Sequence, residues 1–178
     1  EALTIASGLA VAEGAEAAAG CPCRLKWPND VLLGEAKVAG VLVEVRRVGG
    51  GRCVVVGAGV NVNAAPPPDE VGAPAACLTE HVGGPVERIE VARAVLQRLD
   101  RWVGRLAGAR AGEAAALVEL RTAWLARCDM INRRVVVASA GRHHVGRVMD
   151  VSPLEGLILS DDAGRRIHVP AEGATVLG

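Results

Sequence analysis

The sequence predicts an α+β protein, a sheet flanked by helices followed by a small all-β module, and three observations carry that prediction. Residues 3–19 are rich in alanine, with Leu3, Ile5, Leu9 and Val11 as apolar positions, which favours a helix. Residues 37–46 and 52–62 are β-branched runs joined by Gly49-Gly50-Gly51, the pattern of a hairpin. After Asn132 the pattern turns to short strands separated by turn residues. A chain of 178 residues suits one medium domain with a small appendage, so the boundary is placed between residues 1–131 and 132–178.

The first helix ends at Gly20-Cys21-Pro22 and should pack on a sheet. Short strands at 24–27 and 31–33 are broken by Pro28-Asn29-Asp30, a turn that should present Asn29 and Asp30 outward. Prolines and glycines across 64–86 predict a loop that wanders over the surface, with at most a short helix. From Val86 the spacing becomes helical, with Ile89, Ala92, Leu96, Leu99, Val103 and Leu106 on one face and arginines and Asp100 on others. A second helix should run from about Glu113 to Arg127, starting at Gly112, with Leu117, Leu120, Trp124 and Leu125 inward. Trp124 fits a core position better than a ligand platform. The short strands then fall at 133–139, 144–151, 156–161, 165–170 and 174–177. Their turns contain Ala140-Gly141, Ser152-Pro153, Asp161 to Gly164, and Glu172-Gly173, and such a series makes a small barrel.

Composition excludes several function classes. The formal charge is zero, so there is no net basic footprint of a nucleic-acid binder. No run approaches the roughly 18 uncharged apolar residues that cross a bilayer. The chain opens on Glu1 with no secretory pattern, so its start reads as a cut. An odd number of cysteines, Cys21, Cys23, Cys53, Cys77 and Cys128, points to reduced thiols in the cytoplasm. Cys21-Pro22-Cys23 has no second pair at ligand spacing, so the thiols read as buried or idle rather than as a zinc site. His143 and His144 read as exposed residues at a strand start rather than as ligands or bases. Of 20 basic residues only Lys26 and Lys37 are lysine. A compact, movable ammonium differs from a guanidinium in reach, hydration and pKa, and both survivors lie in the stretch that reads as a site.

That stretch runs Arg24-Leu-Lys-Trp-Pro-Asn-Asp30, then Lys37-Val-Ala-Gly40-Val-Leu-Val-Glu44, then Gly57-Ala-Gly-Val-Asn-Val-Asn63. Gly57 and Gly59 are two apart and leave one strand face bare, so a flat ring or phosphate chain can approach the backbone, and Asn61 continues that face. Asp30 at a turn can hold Mg²⁺, which takes one or two carboxylates plus phosphates. Lys26 or Lys37 can neutralise charge developing at phosphorus. Singly, each residue has a structural alternative: Asp30 as a turn former, and Gly57 and Gly59 as tight packing against the first helix.

Taken together and in order, the three segments resemble the signatures of biotin protein ligases: Lys-Trp-Pro-Asn-Asp at 26–30, Lys-x-x-Gly-hydrophobic-Leu-x-Glu at 37–44, and Gly-x-Gly-hydrophobic-Asn-x-Asn at 57–63. The resemblance extends to the last module, which looks like that family's SH3-like barrel. It implies a class II synthetase-like core, a mixed sheet flanked by helices, and a two-step reaction. Biotin's carboxylate attacks the α-phosphate of ATP to give biotinyl-5′-AMP and pyrophosphate, and a lysine of a biotin carboxyl carrier protein then displaces AMP. By the same resemblance Lys37 is the catalytic lysine, at the biotin carboxylate and α-phosphate. Gly40, Val41 and Leu42 line the biotin pocket, while Lys26, Asn29, Asp30, Gly57, Gly59 and Asn61 face ATP or its Mg²⁺. Lys26 divides evenly between site and scaffold, because a strand lysine beside a tryptophan can serve only to pair with a carboxylate.

The family's Gly-Arg-Gly-Arg-x-Gly-Arg loop precedes its Lys-Trp-Pro-Asn-Asp segment and is not found in these residues, which implies weak or absent activity for this polypeptide alone. No helix-turn-helix precedes the core either, so no repressor role is expected. The competing readings are a lipoate-type acyl-adenylate ligase, a non-catalytic remnant that binds nucleotide or carrier, and a separate interaction module at 133–178.

Overall fold

The computed structural model describes residues 2–71, 74–108, 113–128, 130–152, 155–171 and 173–177. Gly112, Pro153 and Glu172, read above as a helix start and turn residues, lie outside the described residues. The chain opens on helix α1 (Ala2–Ala19) and a four-stranded sheet in the order β1-β2-β3-β4, namely Arg24–Lys26, Asp30–Leu33, Ala36–Val48 and Gly51–Val60. Helices α2 (Pro68–Val71), α3 (Leu78–Val82), α4 (Arg88–Ala107) and α5 (Glu113–Leu125) follow. A second sheet in the order β8-β7-β6-β5-β9 is formed by β5 (Arg134–Ser139), β6 (Arg142–Ser152), β7 (Gly156–Ser160), β8 (Arg166–Pro170) and β9 (Thr175–Val176).

Both sheets are antiparallel in every strand pair, which corrects the expected mixed sheet. The cause is connection length: tight turns join β1 to β2, β2 to β3 and β3 to β4, and a parallel neighbour would need a long crossover. The one parallel pairing among the described residues is an isolated bridge from Lys37 to Ala75. The second sheet has its edges at β8 and β9, so the expected closed barrel is an open five-stranded sheet here. The β3–β4 hairpin is tighter than its three glycines suggest. Val48 pairs with Gly51, and Gly49 and Gly50 both have positive φ, the two-residue turn whose twist matches the strands.

α1 is buried on most of its circumference, from Ile5 to Ala15, as its alanine-rich composition permits. It packs on α4 as well as on the first sheet, and Gly14 is the point of closest approach: a Cβ there would lie 2.6 Å from Val95 Cγ2 and 2.7 Å from its Cα. That contact selects the inward face of α4. The inward line is buried Val91 and Trp102 with half-buried Val95, Leu99 and Leu106, so Leu99 and Leu106 of the expected stripe face inward whereas its Ile89, Ala92, Leu96 and Val103 are exposed. Two apolar stripes run side by side on this helix, and spacing alone cannot say which one meets α1. On α5, Leu120 and Trp124 are buried as expected. One continuous buried cluster joins α1 and the first sheet through Met130 to Val135, Val137, Val148, Leu157 and Leu159 of the second.

Candidate active site

The candidate residues converge on one face of the first sheet, and a defect in β3 is what puts them there. Pairing with β2 slips between Val31 and Leu32, so that Val31 opposes Ala39 while Leu32 opposes Lys37. The extra residue is a β-bulge, and Val38 and Ala39 are consecutively buried because of it. In a regular strand residues three apart lie on opposite faces. The bulge returns Lys37 and Gly40 to the same face, and the lysine folds back over the glycine: a Cβ on Gly40 would lie 3.1 Å from both Cε and Nζ of Lys37. From there Lys37 Nζ reaches Asp30 Oδ1 at 2.5 Å, with the lysine side chain 46% exposed and the aspartate 25%. Asp30 is opposite Gly40 in the ladder.

β4 leaves the neighbouring surface clear. Gly59 pairs with Gly40 and Gly57 with Leu42. A Cβ on Gly59 would meet nothing within 4 Å and one on Gly57 would find Leu42 O at 3.7 Å, so neither glycine is needed for packing against α1. This bare strip, with Asn29, Lys37 and Leu42, floors an open depression of about 480 Å³. The main cleft beside it is about 740 Å³, within the range of roughly 300–1,000 Å³ typical of small-molecule sites. Lys26, Asp30, Lys37, Gly40, Gly59 and Asn61 line it on one side, and Pro66, Pro74, Ala75, Thr175, Val176 and Leu177 on the other.

The remaining predicted residues take less direct roles. Asn29 turns inward rather than outward: its Nδ2 donates to Val41 O at 2.7 Å, and Val41 N donates to Asn29 O at 3.1 Å, which fixes the turn against β3. The Val41 side chain is buried in the core, so it offers the cleft only backbone, whereas Leu42 is exposed on the glycine strip. Asn61 donates its amide to Ala76 O at 3.1 Å and Lys37 O at 3.4 Å, and so works as a clamp on the loop. Lys26 lies between the main cleft and a second cavity of about 210 Å³ that also contains Glu35 and Arg133.

Sequence reasoning missed the far wall of the cleft. The proline-rich segment does not wander: Lys37 N donates to Pro74 O at 2.9 Å and Ala76 N donates to Lys37 O at 3.0 Å. β4 ends at Val60, opposite Ala39, so Lys37 has free backbone groups on that side, and the loop takes them. Thr175, Val176 and Leu177 come from the shortest strand, held by pairing to β5. Nothing in a two-residue strand signals a site.

Asp30 can supply one oxygen ligand to a divalent ion. Among the described residues no cluster of three His, Cys, Asp or Glu side chains is placed to hold a metal. A single carboxylate fits Mg²⁺ that arrives with phosphates, which provide the other oxygens. The Cys21 and Cys23 thiols are buried, and burial pushes both pKa values up, that of Cys23 to about 12.

Comparison with known proteins places this geometry. Residues 1–61 match the family model described as the Biotin/lipoate A/B protein ligase family. A biotin–[acetyl-CoA-carboxylase] ligase of Paracoccus denitrificans is 31% identical over 176 residues, spanning 96% of this chain and 71% of that protein. The protein of the same name from Mycobacterium tuberculosis is 32% identical over 173 residues, 95% of this chain and 60% of its own length. Among solved structures, the apo biotin protein ligase of Aquifex aeolicus superposes with a TM-score of 0.81 at 26% identity, covering 98% of this chain and 74% of that one. The same enzyme in complex with biotin and ATP gives 0.77 at 26% identity, covering 98% and 71%. With the three linked signatures on one sheet face and likeness along nearly its whole length, the chain belongs to the biotin protein ligase family.

Proposed function

We propose that this chain carries the ATP-dependent ligation of biotin to a lysine of a biotin carboxyl carrier protein through biotinyl-5′-AMP. The observation that carries the reading is the Lys37 ammonium folded over Gly40 onto the edge of a glycine-bare strip inside a cleft large enough for an adenylate. The relatives named above are biotin ligases, and one solved neighbour holds biotin and ATP. Those likenesses support biotin as the acid.

The chemistry divides among this chain's own residues. In the first step an oxygen of biotin's carboxylate bonds to the α-phosphorus and pyrophosphate leaves. Negative charge grows on the phosphoryl oxygens, and Lys37 exchanges its Asp30 partner for them; a positioned cation of this kind is worth roughly 10²–10³ in rate. Mg²⁺, held by Asp30 together with the phosphates, would neutralise charge on the triphosphate. In the second step the carrier's amine bonds to the acyl carbon and AMP departs, with Lys37 again beside the phosphate. Gly40, Leu42 and the Val41 backbone border biotin, Gly57 and Gly59 admit the nucleotide to the strand, and Asn29 and Asn61 hold the turn and the loop that frame it. Lys26 faces the phosphate end of the cleft.

The proposal assigns residues 1–131 to the catalytic part and 132–178 to an SH3-like module whose last strand forms one wall of the cleft. That placement supports closure over the nucleotide rather than an independent interaction role. The five free cysteines support a reducing, cytoplasmic setting.

A single-turnover assay tests the reading: ATP, Mg²⁺, labelled biotin and an apo carrier domain, beside Lys37→Ala. Labelled carrier that vanishes in the variant supports it. Folded protein that forms neither adenylate nor labelled carrier restricts the chain to binding, and labelled lipoate outcompeting biotin replaces the substrate.

A further inference from the structure

We propose that the depression between α1, α4 and the turn after α5 is a binding site for a phosphate-type anion, free or carried on a monoester, and that it is separate from the cleft on the sheet. Its volume is about 370 Å³, and Glu13, Glu16, Ala17, Arg98, Arg101 and Arg127 line it. Every lining residue except Ala17 is charged, and the three guanidiniums outnumber the two carboxylates. Ala17 is exposed and small, which leaves room beside the two glutamates.

Both carboxylates are already engaged. Glu16 Oε1 accepts from Cys23 N at 3.0 Å and Oε2 from Arg127 Nη2 at 2.8 Å. Glu13 Oε2 accepts from Arg101 Nη2 at 2.5 Å and from the Trp102 indole at 3.4 Å. The donors are not used up. Arg98, half-buried and one turn of α4 from Arg101, makes no hydrogen bond or ion pair among the described residues. The Arg127 guanidinium bonds Glu16 through Nη2, and its Nε–H is enclosed with no acceptor among the described residues. A partly buried guanidinium short of acceptors carries a desolvation cost that an anion offsets. What the cluster lacks is negatively charged oxygen. Arg98 and Arg101 reach in from α4 and Arg127 from beyond α5. A tetrahedral phosphate presents oxygens to all three, whereas a planar carboxylate matches one guanidinium fork at a time.

The cluster is also tied to the catalytic sheet. Arg127 O accepts from Leu25 N at 3.1 Å, and Glu16 holds Cys23 N, so these side chains fasten the start of β1, the strand that carries Lys26. An anion that draws the Arg127 guanidinium from Glu16 therefore acts on that strand.

Nuclear magnetic resonance titration of the whole chain tests this, followed at the amides of residues 13–17 and 98–101. The probes are inorganic phosphate, glycerol 3-phosphate as the monoester, and acetate as the carboxylate. Phosphate should bind with a dissociation constant on the order of 1 mM, the range of an exposed ion cluster, and more weakly in added salt. Arg98→Ala should weaken binding about tenfold or more with the thermal midpoint unchanged, because Arg98 has no partner to lose. Arg93→Ala removes an exposed arginine of the same helix outside the depression and should leave binding as it is. Amide hydrogen exchange at Cys23 and Leu25 should change with phosphate in the wild type and not in Arg98→Ala. Binding of both phosphates assigns the site to phosphorylated small molecules, and binding of inorganic phosphate alone assigns it to the free ion. Absence of saturable binding, acetate held as tightly as phosphate, or equal losses in Arg98→Ala and Arg93→Ala overturns the proposal. Binding that leaves exchange at Cys23 and Leu25 untouched overturns the link to β1.

Discussion

In the second sheet, a Cβ on Gly146 of β6 would lie 2.7 Å from Ser160 O and 3.1 Å from Leu159 Cβ, whereas one on Gly59 of β4 would meet nothing within 4 Å. Both are strand glycines, and glycine weakens a strand by its entropy and its missing side chain. Gly146 is explained by its neighbours: the chain packs so closely that no side chain fits. Gly59 has no such explanation within the chain, so the space above it exists for something else. The surroundings agree. Val135, Val137, Val148, Leu157 and Leu159 of the second sheet are all buried, while the first sheet, past Val41, turns outward with Leu42 and Val45 exposed. One sheet is packed for stability, and the other withholds packing where a ligand would lie.

Substitutions can break or sharpen that contrast. The largest effect belongs to Lys37→Ala, which leaves the sheet intact and removes the ammonium folded over Gly40. Adenylate formation in single turnover should fall by about 10²-fold or more with the thermal midpoint unchanged. Loss of stability in step with loss of activity would make Lys37 part of the scaffold. Gly146→Val comes next and acts oppositely: forced against Ser160 O, it should cost about 1–3 kcal/mol in urea unfolding and touch activity only through folding. Gly59→Val is the matched probe. It should leave urea unfolding unchanged, since open space costs nothing to fill and valine favours strands, yet raise the KM for ATP or biotin about tenfold. Equal destabilisation by Gly59→Val and Gly146→Val would erase the distinction between the two sheets.

How much of this was legible depended on whether the information was local. The strand positions, the hairpin at Gly49-Gly50 and the order of the signature segments follow from residue type and spacing, and they stand in the structure. Lys37, Gly40 and Asp30 were readable as a group only through the family signatures, because their contact depends on a bulge. That bulge leaves no distinct trace in the sequence, because the consecutive apolar Val38-Ala39 are followed by Val41-Leu42-Val43 in the same strand, a run that simple β propensity also produces. The inward face of α4 was not readable, since Gly14 of a distant helix decides between two equivalent stripes. Nor was the far wall of the cleft. Pro74 to Ala76 are captured by the backbone of Lys37, and Thr175 to Leu177 by β5; in neither case does the captured segment carry a chemical signal of its own.

A smaller test concerns the seam between the two sheets. Glu35, in the turn between β2 and β3, accepts two hydrogen bonds from Arg133 just before β5, at 3.1 and 3.3 Å. Those bonds, and then the guanidinium charge, hold its carboxyl below the usual glutamate range. A depressed folded-state pKa means that the contribution is present above the pKa of the unfolded chain, about 4.3, and is lost as the pH falls through the lower folded value. Thermal midpoints measured downward from pH 6 should therefore decline slightly less steeply for Glu35→Gln than for the wild type below about pH 4.3, with the curves separated by a small constant amount above it. The pair is exposed, so added salt should shrink that separation. Superimposable curves would mean that the contact contributes nothing to joining the sheets, leaving the buried continuity through Met130 to hold them together.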